Sequence, residues 1–508
     1  MRVLAWVLPL WALPLAAGPA AAAGGAELWG GGLTEIKLDN GLRIAVLERH
    51  ATPIVYLHFR VFAGSAQEPE GWAGLSRLVD RNFLNGSETL GSRNPAQEKA
   101  ALEAAEKALA MAPRGTTARE RIASQDAEAE AKMLLAKAGA LGSRMYFEDV
   151  LNENGASGYT SVLNTDSSDY SVSMPAERAE LLFRMWGEWL RHPSWRFFYD
   201  DRADMKEMLL RRSMQGVAPI ASQFYGALFE GHPYAKLGAP MSEFERARVS
   251  EAKTFFARYY RPGNIAIAVV GDVTPAEVRA WAEAHLAAVP AGEAAARPRE
   301  AGKAKGDGAG KTRRTAIRAS ANPQIWMAWR RPPANATTAA GRYLARQWLA
   351  GGPQSWLELR QQETPALLRH QVQESPTDAI EDALVLLLLP ASGVSLEALE
   401  QASRSMLAGV AGAEIRPEAL IPLKKRARAQ ILRQFEDPER CSTLLTRAIQ
   451  EYGSTAALGE MLAAIEAAKP EAIRAALEET VMREPDVIAT ISPVAAAPAA
   501  GQAGGGRQ

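Results

Sequence analysis

The chain has 508 residues, and its 58 basic side chains balance its 58 acidic ones, so the formal net charge is zero. Apolar residues make up 47% of the chain and charged residues 23%. This composition argues against a disordered chain, and the lack of a basic excess argues against a nucleic-acid binder. The single cysteine excludes an intramolecular disulfide and a multi-cysteine zinc site. The length allows about three or four domains, or two large ones.

The first 23 residues have the pattern of a secretory signal peptide. Arg2 precedes an apolar run over residues 3–15, and the alanines at 20–23 offer several A-x-A cleavage sites. A membrane anchor is the alternative, although the run is shorter than the ~20 residues that a span needs. We therefore expect an exported protein, with the periplasm of a Gram-negative bacterium as its destination.

Strand and helix patterns then occur twice along the chain. In the first half, Asn40-Gly41 joins two alternating stretches into a hairpin, residues 54–62 form a third strand, and residues 265–270 form a buried closing strand. The second half starts with new strands predicted within residues 315–330. The second half ends on a turn and a strand over residues 484–491, which resembles residues 261–268 of the first half.

This layout predicts an α+β fold made of two duplicated halves, each an antiparallel-rich sheet packed with helices. We place the halves at residues 33–290 and 313–493, joined by a flexible Gly/Ala/Lys-rich linker at 291–312 and followed by a disordered tail at 494–508. Residues 96–140 are rich in Ala, Glu and Lys and predict a helical insertion, folded as a hairpin, within the first half.

Several segments resemble those of the pitrilysin/insulinase-type metallopeptidases, the family of the mitochondrial processing peptidase and its bacterial relatives. They are residues 64–76, His232-Pro233-Tyr234, residues 259–264 and residues 270–273. The resemblance covers roughly residues 33–493 and implies the duplicated α+β architecture. It also implies an inverted zinc motif, H-x-x-E-H, in which two histidines on one helix face bind the metal and the glutamate polarises a bound water.

The pentapeptide that matches this motif is Arg77-Leu78-Val79-Asp80-Arg81. Arg77 and Arg81 stand at the histidine positions, and a guanidinium has no lone pair to offer a metal. Asp80 stands at the glutamate position. On the helix that would carry the third ligand, Met208 is the best match and Glu207 is adjacent. The resemblance therefore implies no metal and no catalytic residue in this chain.

The charged motif has two further interpretations. Asp80 can pair with Arg77 across one helical turn as an ordinary surface ion pair. Alternatively, the two guanidinium groups fill the space of the zinc ion and neutralise acidic groups left around it. The six histidines do not rebuild a site by spacing, because no two of them lie three or four residues apart.

The remaining family positions lie outside this helix. Trp356 and Leu367 stand where active relatives carry the Arg and Tyr that hold the scissile carbonyl, so the second half lacks these groups as well. The family binds peptide by β-addition to an edge strand, and this strand resembles Ser157-Gly158-Tyr159-Thr160. An ordinary sheet edge is the alternative reading of these four residues.

Together these positions predict a catalytically inactive family member, a pseudo-peptidase. We expect it to be the non-catalytic subunit that pairs with a zinc-bearing homologue and helps to bind a peptide substrate, with zinc in the partner only. One alternative is a stand-alone peptide-binding or scaffold protein. Another is an active zinc metalloendopeptidase with non-standard ligands.

Overall fold

The computed structural model describes residues 32–111, 117–213, 218–236, 247–292, 312–332, 336–374 and 382–494. The predicted signal peptide and most of the predicted linker and tail lie outside these ranges. No helix within them combines the length and the hydrophobicity that a membrane span requires.

The first half contains six strands and nine helices among the described residues. The strands are β1 (Leu33–Lys37), β2 (Arg43–Glu48), β3 (Ile54–Val61), β4 (Ser157–Leu163), β5 (Ser168–Pro175) and β6 (Ile265–Gly271). The helices are α1 (Leu75–Asn82), α2 (Pro95–Met111), α3 (Ala118–Gly139), α4 (Tyr146–Glu153), α5 (Ala179–Arg191), α6 (Phe198–Ser213), α7 (Ala218–Leu228), α8 (Val249–Tyr259) and α9 (Pro275–His285).

The second half contains five strands and seven helices among the described residues. The strands are β7 (Arg313–Ala319), β8 (Gln324–Arg331), β9 (Leu367–Glu374), β10 (Asp382–Pro390) and β11 (Val487–Pro493). The helices are α10 (Ala336–Ala350), α11 (Trp356–Gln362), α12 (Leu396–Ala408), α13 (Pro417–Glu436), α14 (Pro438–Tyr452), α15 (Ala457–Ala467) and α16 (Pro470–Glu478).

The two sheets have the same central arrangement. The strand order is β1-β2-β6-β3-β5-β4 in the first and β7-β11-β8-β10-β9 in the second. In each, the last strand of the half lies between two earlier strands, parallel to one and antiparallel to the other. The prediction of an α+β fold with two helix-packed, antiparallel-rich sheets is confirmed.

Helix starts follow local capping chemistry. Thr274 accepts a hydrogen bond from the Glu277 backbone N–H at the start of α9, as the sequence pattern indicates. Helix α14 begins at Pro438. Asp437 accepts hydrogen bonds from the backbone N–H groups of Glu439 and Arg440, and Pro438 occupies the first helical position.

The helices of residues 95–139 pack along each other and are fastened to the first half by one buried ion pair. Arg196 is fully buried, and its Nε lies 2.7 Å from Oε1 of Glu98 on α2. The guanidinium also donates to the backbone carbonyls of Asn85 and Ser87. Arg196 therefore joins the helical insertion to the loop that follows α1.

Each half covers one face of the other half's sheet with a helix. Helix α14 of the second half packs on β2, β3 and β6, where Ala45, Ala266 and Ala268 leave room for it. In return, α7 of the first half packs on β7 and β11, and the Phe224 ring meets the Trp326 ring edge-on with centroids 5.0 Å apart. One apolar face of each sheet would be exposed to water without the opposite half. Its burial stabilises the fold in proportion to the area removed from water.

Polar groups are buried where α14 meets the first sheet. Arg60 and Asp169 form a two-point ion pair with N–O distances of 2.6 and 2.9 Å. The ring of His58 lies 2.8 Å from the Thr446 hydroxyl of α14, and burial lowers the pKa of His58 to about 4, so the ring is neutral. Gln450 donates to the Asp166 carbonyl at 2.9 Å. These directional contacts fix the position of α14 on the sheet.

A buried carboxyl on α14 makes the stability of the chain depend on pH. Burial raises the pKa of Glu451 from its ordinary value of 4.5 to about 7, against the charge of Arg447, whose Nε lies 2.6 Å from Oε1. The folded chain therefore binds more protons than the unfolded chain between these values, and stability falls as the pH rises through them.

We expect the free energy of unfolding of the wild-type chain, relative to Glu451→Gln, to decrease by up to about 3 kcal/mol between roughly pH 4.5 and pH 7.5. The glutamine does not titrate, so the difference isolates this carboxyl. Urea unfolding of both proteins across this range measures it, and a difference that stays constant with pH would contradict the prediction.

Candidate functional site

A buried carboxylate fixes the start of α1, the helix that carries the degenerate motif. Oε2 of Glu68 accepts a hydrogen bond from the Gly74 backbone N–H, and Oε1 accepts from the Ser76 N–H, both at 2.9 Å. The Ser76 hydroxyl donates to the same carboxylate. Gly74, which precedes the helix, has φ of +94°. An acidic group at a helix N-terminus satisfies free N–H donors and interacts favourably with the helix dipole.

The loop before α1 is also tied to the loop between β4 and β5. The backbone N–H groups of Ser65 and Ala66 donate to the carbonyls of Asn164 and Thr165. At Gly64, an added Cβ would lie 2.2 Å from the Asn164 carbonyl oxygen, so only glycine permits this approach. The family-like segment over residues 64–76 therefore serves to position α1 next to the edge of the first sheet.

Asp80 is buried rather than at the surface of α1. Its side chain is 4% exposed, and its Oδ2 accepts a hydrogen bond of 2.5 Å from the hydroxyl of Ser161 on β4. Burial raises the pKa of Asp80 to about 6, and the opposing effects of the Ser161 hydroxyl and of the Arg77 charge are smaller. Asp80 is therefore a buried carboxyl and not a surface one, and the charge of Arg77 still favours its ionised form.

Arg81 lies next to a carboxylate of α6, the helix that matches the third-ligand helix of the family. Its Nε is 3.6 Å from Oδ1 of Asp201. The Arg144 guanidinium lies 2.8 Å from the same oxygen, and Asn85 donates to the other oxygen at 2.9 Å. Asp201 is buried, and two cations and one amide compensate its charge. The guanidinium of Arg81 thus faces a buried acidic group of α6.

Met208 and Glu207, the predicted third-ligand positions, are not the α6 residues that contact Arg81. Met208 is 40% exposed on α6, and the neighbouring Glu207 is exposed as well. Asp201 lies about two turns closer to the start of the same helix and is the α6 carboxylate that meets Arg81.

The side chains around α1 do not fit zinc. Arg77 and Arg81 cannot act as ligands, and one oxygen of Asp80 is engaged by Ser161. Within the described ranges, no three His, Cys, Asp or Glu side chains come together as a group that could hold a metal ion. No catalytic step that needs a metal can be derived from these residues.

The predicted peptide-binding residues lie on the edge strand β4. Strand β4 is last in the sheet order and pairs with β5, with a register shift between Ser157 and Thr160. Gly158 lies within the shift with φ of +65°, and no atom lies within 4 Å of a Cβ placed on it. A cavity of about 40 Å³ lies beside this glycine, between the sheet and the first turn of α14. No described strand pairs with the outer side of β4, so this strand remains the predicted edge for β-addition.

Trp356 and Leu367, the positions of the family's Arg and Tyr, are packing residues. Trp356 begins α11, and its ring stacks on the Trp348 ring with centroids 5.5 Å apart. The guanidinium of Arg360 lies over the Trp356 ring, with its Cζ 4.7 Å from the ring centroid. Leu367 begins β9 and is 4% exposed, in the apolar core between the second sheet and its helices. The Leu367 side chain has no polar group with which to stabilise an oxyanion.

Sequence reasoning missed four residues that define this region. They are Glu68, which caps α1, Ser161, which contacts Asp80, and the pair Arg144 and Asp201. Gly74 before an apolar stretch indicates a helix start, but Glu68 caps it from across a loop. The other three residues make contacts between elements far apart in the chain, which leave no local signal in the sequence.

We expect Asp201→Ala to lower the free energy of unfolding by about 1–3 kcal/mol, because it leaves the buried amide of Asn85 without its acceptor. Asp204→Ala is the matched control on the same helix, since Asp204 also contacts Arg144 but is exposed. Its cost should stay below about 1 kcal/mol. Urea unfolding measures both variants, and equal costs would contradict the burial argument.

Comparisons with known proteins give one family match and many structural matches. Residues 247–364 match the family described as the peptidase M16 inactive domain. No curated protein matches the sequence.

Among similar solved structures, a protease from Helicobacter pylori has 13% identity and a TM-score of 0.70, covering 91% of this chain and 99% of that one. The peptidase M16 inactive domain from Pseudomonas fluorescens has 17% identity and a TM-score of 0.64, covering 91% and 98%. The periplasmic protease PqqL from Escherichia coli has 15% identity and a TM-score of 0.64, and this chain covers 47% of its length.

At these identities the structural likeness establishes the fold alone. The fold is the two-half fold that these M16 proteins share, with one helix-packed sheet in each half. The family match and the shared fold together confirm the resemblance of this chain to the pitrilysin/insulinase-type, or M16, peptidases and their inactive domains.

Proposed function

We propose that this chain is the non-catalytic subunit of an exported M16 peptidase complex, paired with a zinc-bearing homologue. The observation that carries the proposal is the contact of Arg81 with Asp201 in the region where the family binds its metal. A guanidinium that lies 3.6 Å from this carboxylate keeps a positive charge at the position and offers no lone pair to a metal. The match to an M16 inactive domain supports the same conclusion.

Peptide binding is the part of the family's activity that this chain can retain. β-Addition relies on backbone hydrogen bonds, so it does not depend on the side chains that the motif has lost. Strand β4 offers such an edge, and exposed side chains alternate along it. In a heterodimer, the chain would supply this edge and close the chamber around a peptide that the partner cleaves.

The predicted location is compatible with such a partner. PqqL is a periplasmic protease with the same fold, and this similarity supports placing the complex in the periplasm. The motif positions in the second half hold Trp356 and Leu367, so the partner would also supply the groups that bind the scissile carbonyl.

A stand-alone peptide-binding protein is the second candidate. The same β4 edge favours it, because the edge needs no partner subunit in order to bind an extended peptide. The helical insertion of α2 and α3 would then be its docking arm. An active zinc metalloendopeptidase is the third candidate, and the donor chemistry around α1 argues against it.

The decisive measurement compares the chain purified alone with the chain co-expressed with an H-x-x-E-H homologue from a neighbouring gene. We expect the chain alone to contain no stoichiometric zinc and to cleave no peptide. The co-purified complex should contain one zinc per pair of chains and show chelator-sensitive cleavage.

A matched control replaces the two motif histidines of the homologue by alanine, which should abolish cleavage while the complex still forms. Failure to co-purify with any such homologue, together with peptide binding by the chain alone, would favour the stand-alone protein. Stoichiometric zinc and chelator-sensitive cleavage in the chain alone would overturn the proposal.

A further inference from the structure

One hydrogen bond connects the degenerate motif to the edge strand. Ser161 lies on β4, and its hydroxyl donates to Oδ2 of Asp80 on α1 over 2.5 Å. Beside it on the same strand, the ring of Tyr159 lies nearly parallel to that of Phe83, which follows α1, with centroids 6.2 Å apart. Strand β4 is therefore attached to the motif helix through a buried polar contact and an aromatic contact.

We propose that Asp80 is a positioning residue, which holds the edge strand β4 on the motif helix and so sets the shape of the edge that a peptide would join. The peptide-binding part of this inference rests on the proposed function. The anchoring part concerns only α1 and β4 of this chain and can be tested without a peptide or a partner.

An anchor to the helix layer matters for β4 because, among the described strands, β4 pairs with β5 alone. It has β5 on one side, and the register shift between Ser157 and Thr160 interrupts even that ladder. An edge strand with one interrupted ladder opens more easily than a central strand. An edge strand whose end is mobile binds an added peptide more weakly, because part of the binding free energy is used to order the strand.

The other hydroxyl contacts of β4 do not reach α1. Ser157 contacts Ser173 over 2.9 Å, and Thr160 contacts Ser171 over 2.6 Å. Both contacts lie within the sheet and join β4 to the neighbouring strand β5. Among the described side-chain hydrogen bonds, the one from Ser161 fastens β4 to the helix layer beneath the sheet.

The motif helix is a firm support for this contact. Glu68 caps its first turn, and the loop before it is hydrogen-bonded to residues 164 and 165, just after β4. The Asp80 carboxyl is surrounded by the buried side chains of Tyr170 and Tyr260 and is closed off from solvent. A carboxylate that polarises a water must reach the water, whereas this one is directed at a strand.

Hydrogen exchange of residues 157–163 in the full chain tests the anchor. We expect Asp80→Ala and Ser161→Ala each to raise the exchange rate of this segment about tenfold, the effect of losing one hydrogen bond to a charged group. The double variant should exchange no faster than the single ones, because both remove the same contact. Asp80→Asn should restore slow exchange, since the amide oxygen can still accept from Ser161.

Glu277→Ala is the matched control, because it breaks another acid–hydroxyl pair, with Thr274 on α9, away from β4. It should leave exchange of residues 157–163 unchanged. Urea unfolding midpoints separate local opening from a general loss of stability. If Asp80→Ala does not fold, Ser161→Ala and Asp80→Asn carry the test.

Binding of a fluorescent unfolded peptide by the same variants tests the functional part. We expect Asp80→Ala and Ser161→Ala to weaken binding several-fold and Asp80→Asn to keep it, because a frayed strand must be reordered. Unchanged exchange in both alanine variants would overturn the anchoring role. Failure of the proposed function shows separately, as no peptide binding by the wild-type chain alone or by its complex.

Discussion

The reciprocal burial of the two sheets is the constraint on which the rest of the structure depends. Helix α14 of the second half lies on the first sheet, and α7 of the first half lies on the second. The alanines of β2 and β6 make this approach possible, and the ion pair of Arg60 with Asp169 lies in the same interface. Because one face of each sheet is buried under a helix of the other half, we expect the two halves to unfold together. The cavity beside β4 exists only because α14 lies where it does.

Within this structure, the position of the motif helix does not depend on the side chains at the two arginine positions. The position of α1 is set by Glu68, by the glycines of the preceding loop and by backbone hydrogen bonds, and none of these uses Arg77 or Arg81. The side chains at the motif positions could therefore change without moving the helix. Asp80 kept an acidic group but turned it toward Ser161, and Arg81 met the carboxylate of Asp201. The same scaffold thus carries a polar contact and an ion pair where the family carries a metal site.

The sequence predicted those features that local chemistry determines. The turn at Asn40-Gly41 and the closing strand β6 depend on neighbouring residues, and both are present. The loss of the two histidines could also be read directly. The contact of Arg81 with Asp201 could not be predicted, since it depends on how two helices pack, and an amphipathic helix does not reveal which sheet it covers.

The central position of the last strand in each sheet has a consequence for the order of folding. During synthesis, β2 and β3 cannot join until β6 has been made, and β7 and β8 wait in the same way for β11. The helix that covers the first sheet is made later still. The growing chain therefore carries apolar strands without their partners over most of its length, and contacts distant in sequence slow the final closure. Such a chain depends on chaperones more than one whose domains fold in succession, and losing the last strand would remove the centre of the second sheet.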